Sequence, residues 1–416
     1  MRNTLRAASR PLIGWATMFA TGMVAAALAA LASPSGATTP PPPPSLAGQG
    51  EEATDPPGRV GRVADMNGTV WLYNPEGGEW VGAARNRVLT TGDRVATDAG
   101  GRVELRVGST VLRLDGGSEI EFTRLDDERI DVQLHSGNLA LRVRNREVLN
   151  DLAVITGEGR FTFQRTGRYR VDRADEASHL TVLAGQGMYE GPRSALTVNA
   201  GQRAEFWIDR AGVAQYSIVD PLRDDFAAWT AERDRADDRS ASQRYVSPEM
   251  TGVEELDRHG GWERHDEYGT VWVPYRVAPG WAPYSTGHWA WVRPWGWTWV
   301  DEAPWGFAPF HYGRWVWFGG RWCWAPGQYV ARPVWAPALV AWVGGPGLNV
   351  SVRIGVGPPV GWFPLAPREV YVPSYRVSPI YIRQVNVTHV TNVTVIDRAV
   401  RRPPTPDNPY DYRYRK

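Results

Sequence analysis

Residues 271–324 read VWVPYRVAPGWAPYSTGHWAWVRPWGWTWVDEAPWGFAPFHYGRWVWFGGRWCW, and most of the chain's 21 tryptophans lie in or near them. A unit recurs inside this stretch. Trp281-Ala282-Pro283-Tyr284 is followed by Gly287, Trp289 and Trp291. Further on, Phe307-Ala308-Pro309-Phe310 is followed by Gly313, Trp315 and Trp317. After a one-residue deletion, Trp297 and Trp299 match Trp322 and Trp324. A weaker third copy begins at Trp335-Ala336-Pro337 and decays by Trp342. A period of this length implies stacked supersecondary units, none of which buries its apolar face alone.

Within each copy the tryptophans alternate. Side chains at i and i+2 share one face of a strand. Each Trp-x-Trp is therefore a short strand with an aromatic face. Gly287, Gly296, Gly313, Gly319 and Gly320 permit the positive φ of tight turns. The prolines bar long helices and central ladder positions. The unit reads as two hairpins joined by Pro-rich corners.

Working outward, a chain of 416 residues holds two or three domains. The near-neutral net charge of +1 argues against a general nucleic-acid binder. Cys323 is the lone cysteine, which excludes an intrachain disulfide and a thiolate-rich metal site. Plentiful Gly and Pro, with few long apolar helical patterns, point to β structure and loops.

The N-terminus has the layout of an export segment, residues 1–37. Arg2, Arg6 and Arg10 precede an apolar run from Leu12 to Ala32, and Ser35-Gly36-Ala37 is an acceptable cleavage triplet. The run is also long enough to span a bilayer, so a cleaved signal and a retained inner-membrane anchor are both open. The arginines fit an N-in orientation, and either way the bulk is exported to the periplasm or cell envelope. No cysteine follows the run, so lipidation is not expected. Residues 38–58, with Pro40 to Pro44, form an extended linker.

Residues 59–219 read as β. Val103, Leu105 and Val107 alternate with Glu104 and Arg106; Ile120 and Phe122 with Glu119 and Glu121; Ile130, Val132 and Leu134 with Asp131 and Gln133; Leu139, Leu141 and Val143 with Ala140 and Arg142. Period two, with one apolar and one charged face, predicts half-buried strands in a sandwich, barrel or short solenoid. Gly92-Asp93-Arg94-Val95-Ala96-Thr97, Gly100-Gly101-Arg102-Val103-Glu104-Leu105 and Ser136-Gly137-Asn138-Leu139 resemble the periplasmic domain of the FecR family. Thr166-Gly167-Arg168-Tyr169-Arg170-Val171 and Ala200-Gly201-Gln202 are also similar to it. The resemblance implies an exported β domain behind a membrane segment, in a family whose best-known members relay iron-siderophore signals to a sigma factor. Only eleven residues precede the apolar run here, too few for a cytoplasmic sigma-binding region.

Residues 220–245 change character. Leu222, Phe226 and Trp229 form one helical stripe in a charged segment, with Asp220 as N-cap and Pro221 at the first position. This predicts a connector helix. Residues 246–345 form the Trp/Pro-rich repeat domain and 346–396 a β segment, with a strand at Val350 to Val356 and a strand or hairpin at Val385 to Ile396. Residues 397–416 read as a disordered tail. Ala303-Pro304-Trp305-Gly306-Phe307-Ala308-Pro309, His311-Tyr312-Gly313-Arg314-Trp315 and Gly361-Trp362-Phe363-Pro364-Leu365-Ala366-Pro367 resemble an uncharacterised exported Trp/Pro-rich family of proteobacteria. That family often carries a FecR-like module in front. The fold expected is mainly β: a FecR-like sandwich or solenoid, a connector helix, a hairpin-repeat domain and disordered ends.

No catalytic constellation stands out. His259, His265, Asp266 and Glu263 lie close in sequence, but their spacing enforces no convergent ligand geometry. Asp301-Glu302 are adjacent on a strand and point apart, as at a solvated hairpin tip. His311 suits a backbone hydrogen bond, and Cys323 a buried small hydrophobe. The expected activity is therefore contact rather than catalysis, without cofactor or metal. Trp289, Trp291, Trp297, Trp299, Trp315, Trp317, Trp322 and Trp324 either pack as a core or leave some rings exposed as an aromatic platform. Arg293, Arg314 and Arg321 are candidates to address carboxylates or phosphates beside it. The partner expected is an envelope protein or a cell-wall polysaccharide such as peptidoglycan, not nucleic acid. The alternatives are a FecR-type transmembrane regulator sensing a periplasmic ligand, and a wall-glycan hydrolase.

Overall fold

The alternating segments between 61 and 219 become seventeen strands in two facing layers. One layer runs Ala214–Val219, Arg203–Ile208, Ala177–Ala184, Gly167–Ala174, the second half of Ile130–Val143, Thr110–Leu114, Arg102–Val107 and Gly61–Asn67. The other runs Ser194–Asn199, Gln186–Gly191, Arg160–Phe163, Leu152–Ile155, the first half of Ile130–Val143, Glu119–Leu125, Arg94–Thr97 and Val70–Asn74. Ile130–Val143 passes between layers at Gly137, whose φ of +84° suits glycine. Val103, Leu105, Leu139 and Val171 of one layer meet Val70, Ile120, Val132 and Phe161 of the other in one core. The architecture is a sandwich, and the chain's passage between layers gives it the winding of a short solenoid.

These are features of a computed structural model that describes residues 55–75, 78–343 and 361–401. Strand makes up 44% and helix 14%, so the protein is mainly β. The expected export segment, most of the linker, the strand at Val350 to Val356 and residues 402–416 of the expected tail lie outside the described residues. All the described residues fall in one compact unit. Among them no helix is long and apolar enough to cross a membrane.

The expectation of a solvated charged face fails on Arg102–Leu114. Glu104, Arg106 and Arg113 are as buried as the valines between them. The helix Asp225–Asp237 lies over them and turns acids toward the sheet. Arg106 Nη2 donates to Asp237 Oδ2 at 2.7 Å, and Arg113 Nη1 to Asp234 Oδ1 at 2.7 Å. Both guanidiniums also donate to Glu104, each at 2.8 Å. Burial alone would raise the Glu104 carboxyl; Arg106 and Arg113 overcome it and hold the group at about 2.

The helix itself differs from its expected form. Its N-cap is Asp224, whose side chain accepts from Ala227 N at 2.8 Å, not Asp220. Leu222 lies outside it and is exposed. The buried residues are Phe226, Thr230, Asp234 and Asp237, so the helix docks by ion pairs more than by an apolar stripe. Arg170 lies over the Phe226 ring at 5.1 Å, adding a cation–π contact.

Four antiparallel strand pairs follow among the described residues. The first pairs Gly260–His265 with Gly269–Pro274, and the second Gly287–Val292 with Gly296–Asp301. The third pairs Arg314–Phe318 with Arg321–Ala325, and the fourth Val340–Val343 with Gly361–Pro364. The first and third join through Trp272 opposite Trp324. Val60 and Val88, from before and within the sandwich, enter the tryptophan core. Arg62 Nη2 reaches Glu254 at 2.5 Å, and Asn86 Nδ2 donates to the carbonyls of Asp301 and Ala303 at 3.0 and 2.8 Å.

In place of the strand or hairpin expected at Val385 to Ile396 there are two helices, Pro379–Asn386 and Val393–Arg401. Ser378 caps the first, with Pro379 in its opening turn. Asn392 accepts from Thr394 N at 3.0 Å at the head of the second, so an Asn-Val-Thr triplet acts as a start signal. That helix also takes in Asp397–Arg401, the first residues of the expected tail.

Arg106→Ala would leave Glu104, Asp237 and Glu254 buried around an absent counter-charge. We expect it to cost about 3–5 kcal/mol in urea unfolding. A loss below about 1 kcal/mol would mean that this network is not needed to hold the helix on the sheet.

Candidate binding surface on the tryptophan hairpins

The turns set the register. Gly319 and Gly320 have φ of +59° and +78°, as a two-residue hairpin loop of the primed type requires. Phe318 then stands opposite Arg321. Gly287 is the exception among the five expected turn glycines, since the other four have positive φ and it does not. A Cβ there would come within 2.4 Å of Val300 O and 2.7 Å of the Trp299 ring, so close approach demands glycine.

This register places the tryptophans in cross-strand pairs. Trp289 faces Trp299 and Trp291 faces Trp297; Trp315 faces Trp324 and Trp317 faces Trp322. Tryptophans two apart thus share a face, and the two copies superimpose in layout. Ring centroids lie 5.4 Å apart in Trp289–Trp299, 5.5 Å in Trp291–Trp297 and 5.5 Å in Trp317–Trp322, all edge to face. Burial divides each hairpin. At the base, Trp289, Trp299, Trp315 and Trp324 are buried. Toward the turn, Trp291 is 47% and Trp317 57% exposed, with Trp297 and Trp322 half-buried beside them. The exposed pairs lie on different sheets rather than on one slab.

Two more pairs complete the pattern. Trp262 faces Trp272 in the first strand pair, and Trp342 faces Trp362 in the fourth. Each strand there carries one tryptophan, so no Trp-x-Trp signal marks it. Two buried indole N–H groups find carbonyls: Trp272 donates to Leu256 O at 3.0 Å and Trp324 to Tyr312 O at 2.9 Å.

The candidate arginines separate. Arg314 is buried, not available to a ligand. It donates to Gly313 O at 2.8 Å, Glu369 O at 3.3 Å and Asn386 Oδ1 at 2.9 Å. Burial among these neutral acceptors lowers it to about 10. Arg321 is exposed beside Trp322 and pairs with Glu263 at 2.6 Å.

Asp301 corrects the expected solvated pair: it is buried, while Glu302 is exposed. It accepts from Trp299 Nε1 at 3.1 Å and Ala303 N at 3.0 Å. Burial nevertheless pushes its carboxyl up to about 7. His265 Nδ1 accepts from the amides of Glu267 and Tyr268 at 3.1 and 3.2 Å, and its ring meets Phe318 edge-on. His311 Nδ1 lies 2.8 Å from Ala336 O, and burial lowers the ring to about 4. Cys323 is buried with Val271, Val273 and Ala325, which raises its thiol. Among the described residues no three of His, Cys, Asp and Glu converge as a metal site requires.

Residues 93–186 match the FecR protein family, and residues 253–369 match a family of unknown function designated DUF6600. No curated protein matches the chain. Two crystal structures of a candidate anti-sigma factor from Parabacteroides distasonis share 17% and 16% identity with it. Each match covers 33% of this chain and 63% or 64% of that one, at TM-scores of 0.27 and 0.28. The chain thus spans less than two thirds of their length.

Base and tip tryptophans should differ in stability. Trp299→Ala and Trp324→Ala should each cost about 3–5 kcal/mol in denaturant unfolding, whereas Trp291→Ala and Trp317→Ala should stay within about 1 kcal/mol. For Asp301, the raised value means that its contribution to stability is full below the unfolded value of 3.8 and lost as pH rises through about 7. An NMR titration of the Asp301 carboxyl with a midpoint near 7 is expected; one near 3.8 would show that the group is hydrated.

Proposed function

We propose that this protein, a FecR domain followed by a DUF6600 domain, is a non-enzymatic cell-envelope protein that binds an envelope protein or a cell-wall glycan through the ends of its tryptophan hairpins. FecR proteins are envelope-associated, which supports an exported location. The observation that carries the reading is the division of each hairpin into a buried base and an exposed end. Trp291 and Trp317 remain open to solvent although deep aromatic packing lies one residue pair away. Indoles offer a large contact area on only two rotatable bonds, so ordering them on binding costs little. Arg321 and Glu263 flank one end with a charged pair able to orient a polar partner.

The FecR domain also favours a second reading, a regulator that senses a ligand outside and acts through a membrane anchor. The two separate on the mature N-terminus, since a chain beginning near Thr38 retains no relay.

The full chain should sediment with isolated envelope fractions, peptidoglycan included. Trp291→Ala combined with Trp317→Ala should lower the bound fraction about tenfold at unchanged near-UV circular dichroism. Equal sedimentation of the parent and the double variant would refute binding through the hairpin ends.

A further inference from the structure

The two ends of the sandwich layer beneath the covering helix differ. At one end, beyond Gly61–Asn67, Val88 is buried in the tryptophan core. At the other, Ala214–Val219 pairs among the described strands with Arg203–Ile208 alone. The phase of its hydrogen bonds is set at its start. Asp209 N donates to Val213 O at 2.9 Å across the turn, while Ala214 N turns the opposite way and donates to Pro192 O at 2.9 Å. Bonded and non-bonded pairs alternate along an antiparallel ladder. Gln215, Ser217 and Val219 therefore bond inward to the neighbouring strand, and Tyr216 and Ile218 turn both N–H and C=O outward. Residues 216–218 are all exposed. The side chains repeat the picture. The register sets Tyr216 beside Phe206 and Ile218 beside Ala204, both part of the sandwich core. Tyr216 and Ile218 thus lie on the core-facing side yet are 46% and 54% exposed, so the core is one row short at this edge.

Outward N–H and C=O groups in a row are a template for one kind of occupant, another extended strand. Edges are commonly blunted by a charge, a proline or a bulge. Residues 214–219 read AQYSIV in unbroken register and carry none of these. We infer that this edge pairs with the same edge of a second copy, antiparallel about a two-fold axis at Ser217. The strand is its own complement. Tyr216 exchanges both bonds with Ile218 of the second copy, and Ile218 with Tyr216 of the second copy, so all four outward groups are matched. Each tyrosine then stands opposite an isoleucine, an aromatic and β-branched pair that favours sheet pairing. The neighbouring registers fit less well. A shift toward the start of the strand calls on the Ala214 N–H, which is already bonded. A shift the other way sets Asp220 opposite Tyr216. The surrounding charges are mixed. Asp209 and Arg210 precede the strand, Asp220 and Arg223 follow it, and antiparallel pairing turns each flank toward the other. On the outer side of the adjacent strand, Arg203 and Glu205 lie 3.5 and 3.7 Å from Asp172 and His179.

The contact is short, so the dimer belongs to the weak, reversible class. Sedimentation equilibrium of the full chain should show monomer and dimer exchanging between about 1 and 100 μM. Tyr216→Lys combined with Ile218→Lys sets like charges opposite one another across the axis and should weaken association about tenfold or more. Tyr216→Lys combined with Ile218→Glu sets opposite charges there and should restore association to within about threefold of the parent. Both side chains are exposed, and an unchanged thermal midpoint and near-UV circular dichroism confirm that each variant is folded. A second reading does not depend on the charged variants. Ser217→Cys, at the axis, should form a dimer-linking disulfide on mild oxidation, whereas Gln215→Cys, opposite Val219 of the second copy, should not. The native Cys323 is buried. A parent chain that stays monomeric at about 100 μM overturns the inference. So does a dimer that survives the lysine pair, one that the lysine–glutamate pair fails to restore, or equal cross-linking of the two cysteine variants. A monomer that instead takes up an extended segment of another envelope protein overturns it as well.

Discussion

The buried Arg106 guanidinium is the point from which the rest of the molecule is held. It pairs with Glu104 on its own strand, with Asp237 of the covering helix and with Glu254 at the entry to the tryptophan region. A charge withdrawn from water is costly unless several partners replace its hydration, and here three carboxylates do so. The network continues beyond it. Glu254 also receives Arg62, Arg62 Nη1 donates to Asn86, and Asn86 donates to the backbone at Asp301 and Ala303. Asp301 in turn holds the Trp299 indole. A continuous polar path thus runs from the helix on the sandwich to the foot of the second hairpin.

That path explains why the hairpins can leave aromatic surface open without collapsing. A lone two-stranded hairpin is marginal in water. These hairpins are fixed at their bases, where Trp299 and Trp324 are buried and their N–H groups are satisfied. The apolar burial that stabilises each unit lies at the base, so the rings nearer the turn are not needed for folding. Their exposure therefore calls for a functional account more than an isolated surface leucine would.

Much of this was legible from the sequence because it is local. Period-two alternation predicted the strands, Gly319-Gly320 the loop, and Trp-x-Trp the shared face. What was illegible depends on distant partners. The charged face of Arg102–Leu114 reads as solvent-facing until a helix more than a hundred residues later brings Asp234 and Asp237 onto it. Arg314 reads as a ligand-binding cation, yet its acceptors lie 55 and 72 positions away. The Val, Thr and Ile run after Asn392 has strand propensity, and only its capping bond and tertiary packing make it a helix. The fourth strand pair is not legible locally, because Trp342 meets a partner strand beyond residue 360.

The separation of the exposed pairs onto two sheets also bears on how tightly such a surface can hold. One indole pair stacked on a small ligand gives modest affinity, because binding must first overcome lost translational and rotational freedom. A polymer that touches one pair brings its remaining units near any other pair it can span. The second contact is then intramolecular, with an effective concentration set by the span, and avidity rises without any new type of contact. For the repeating envelope polymer proposed as partner, two separate aromatic ends would act together in this way.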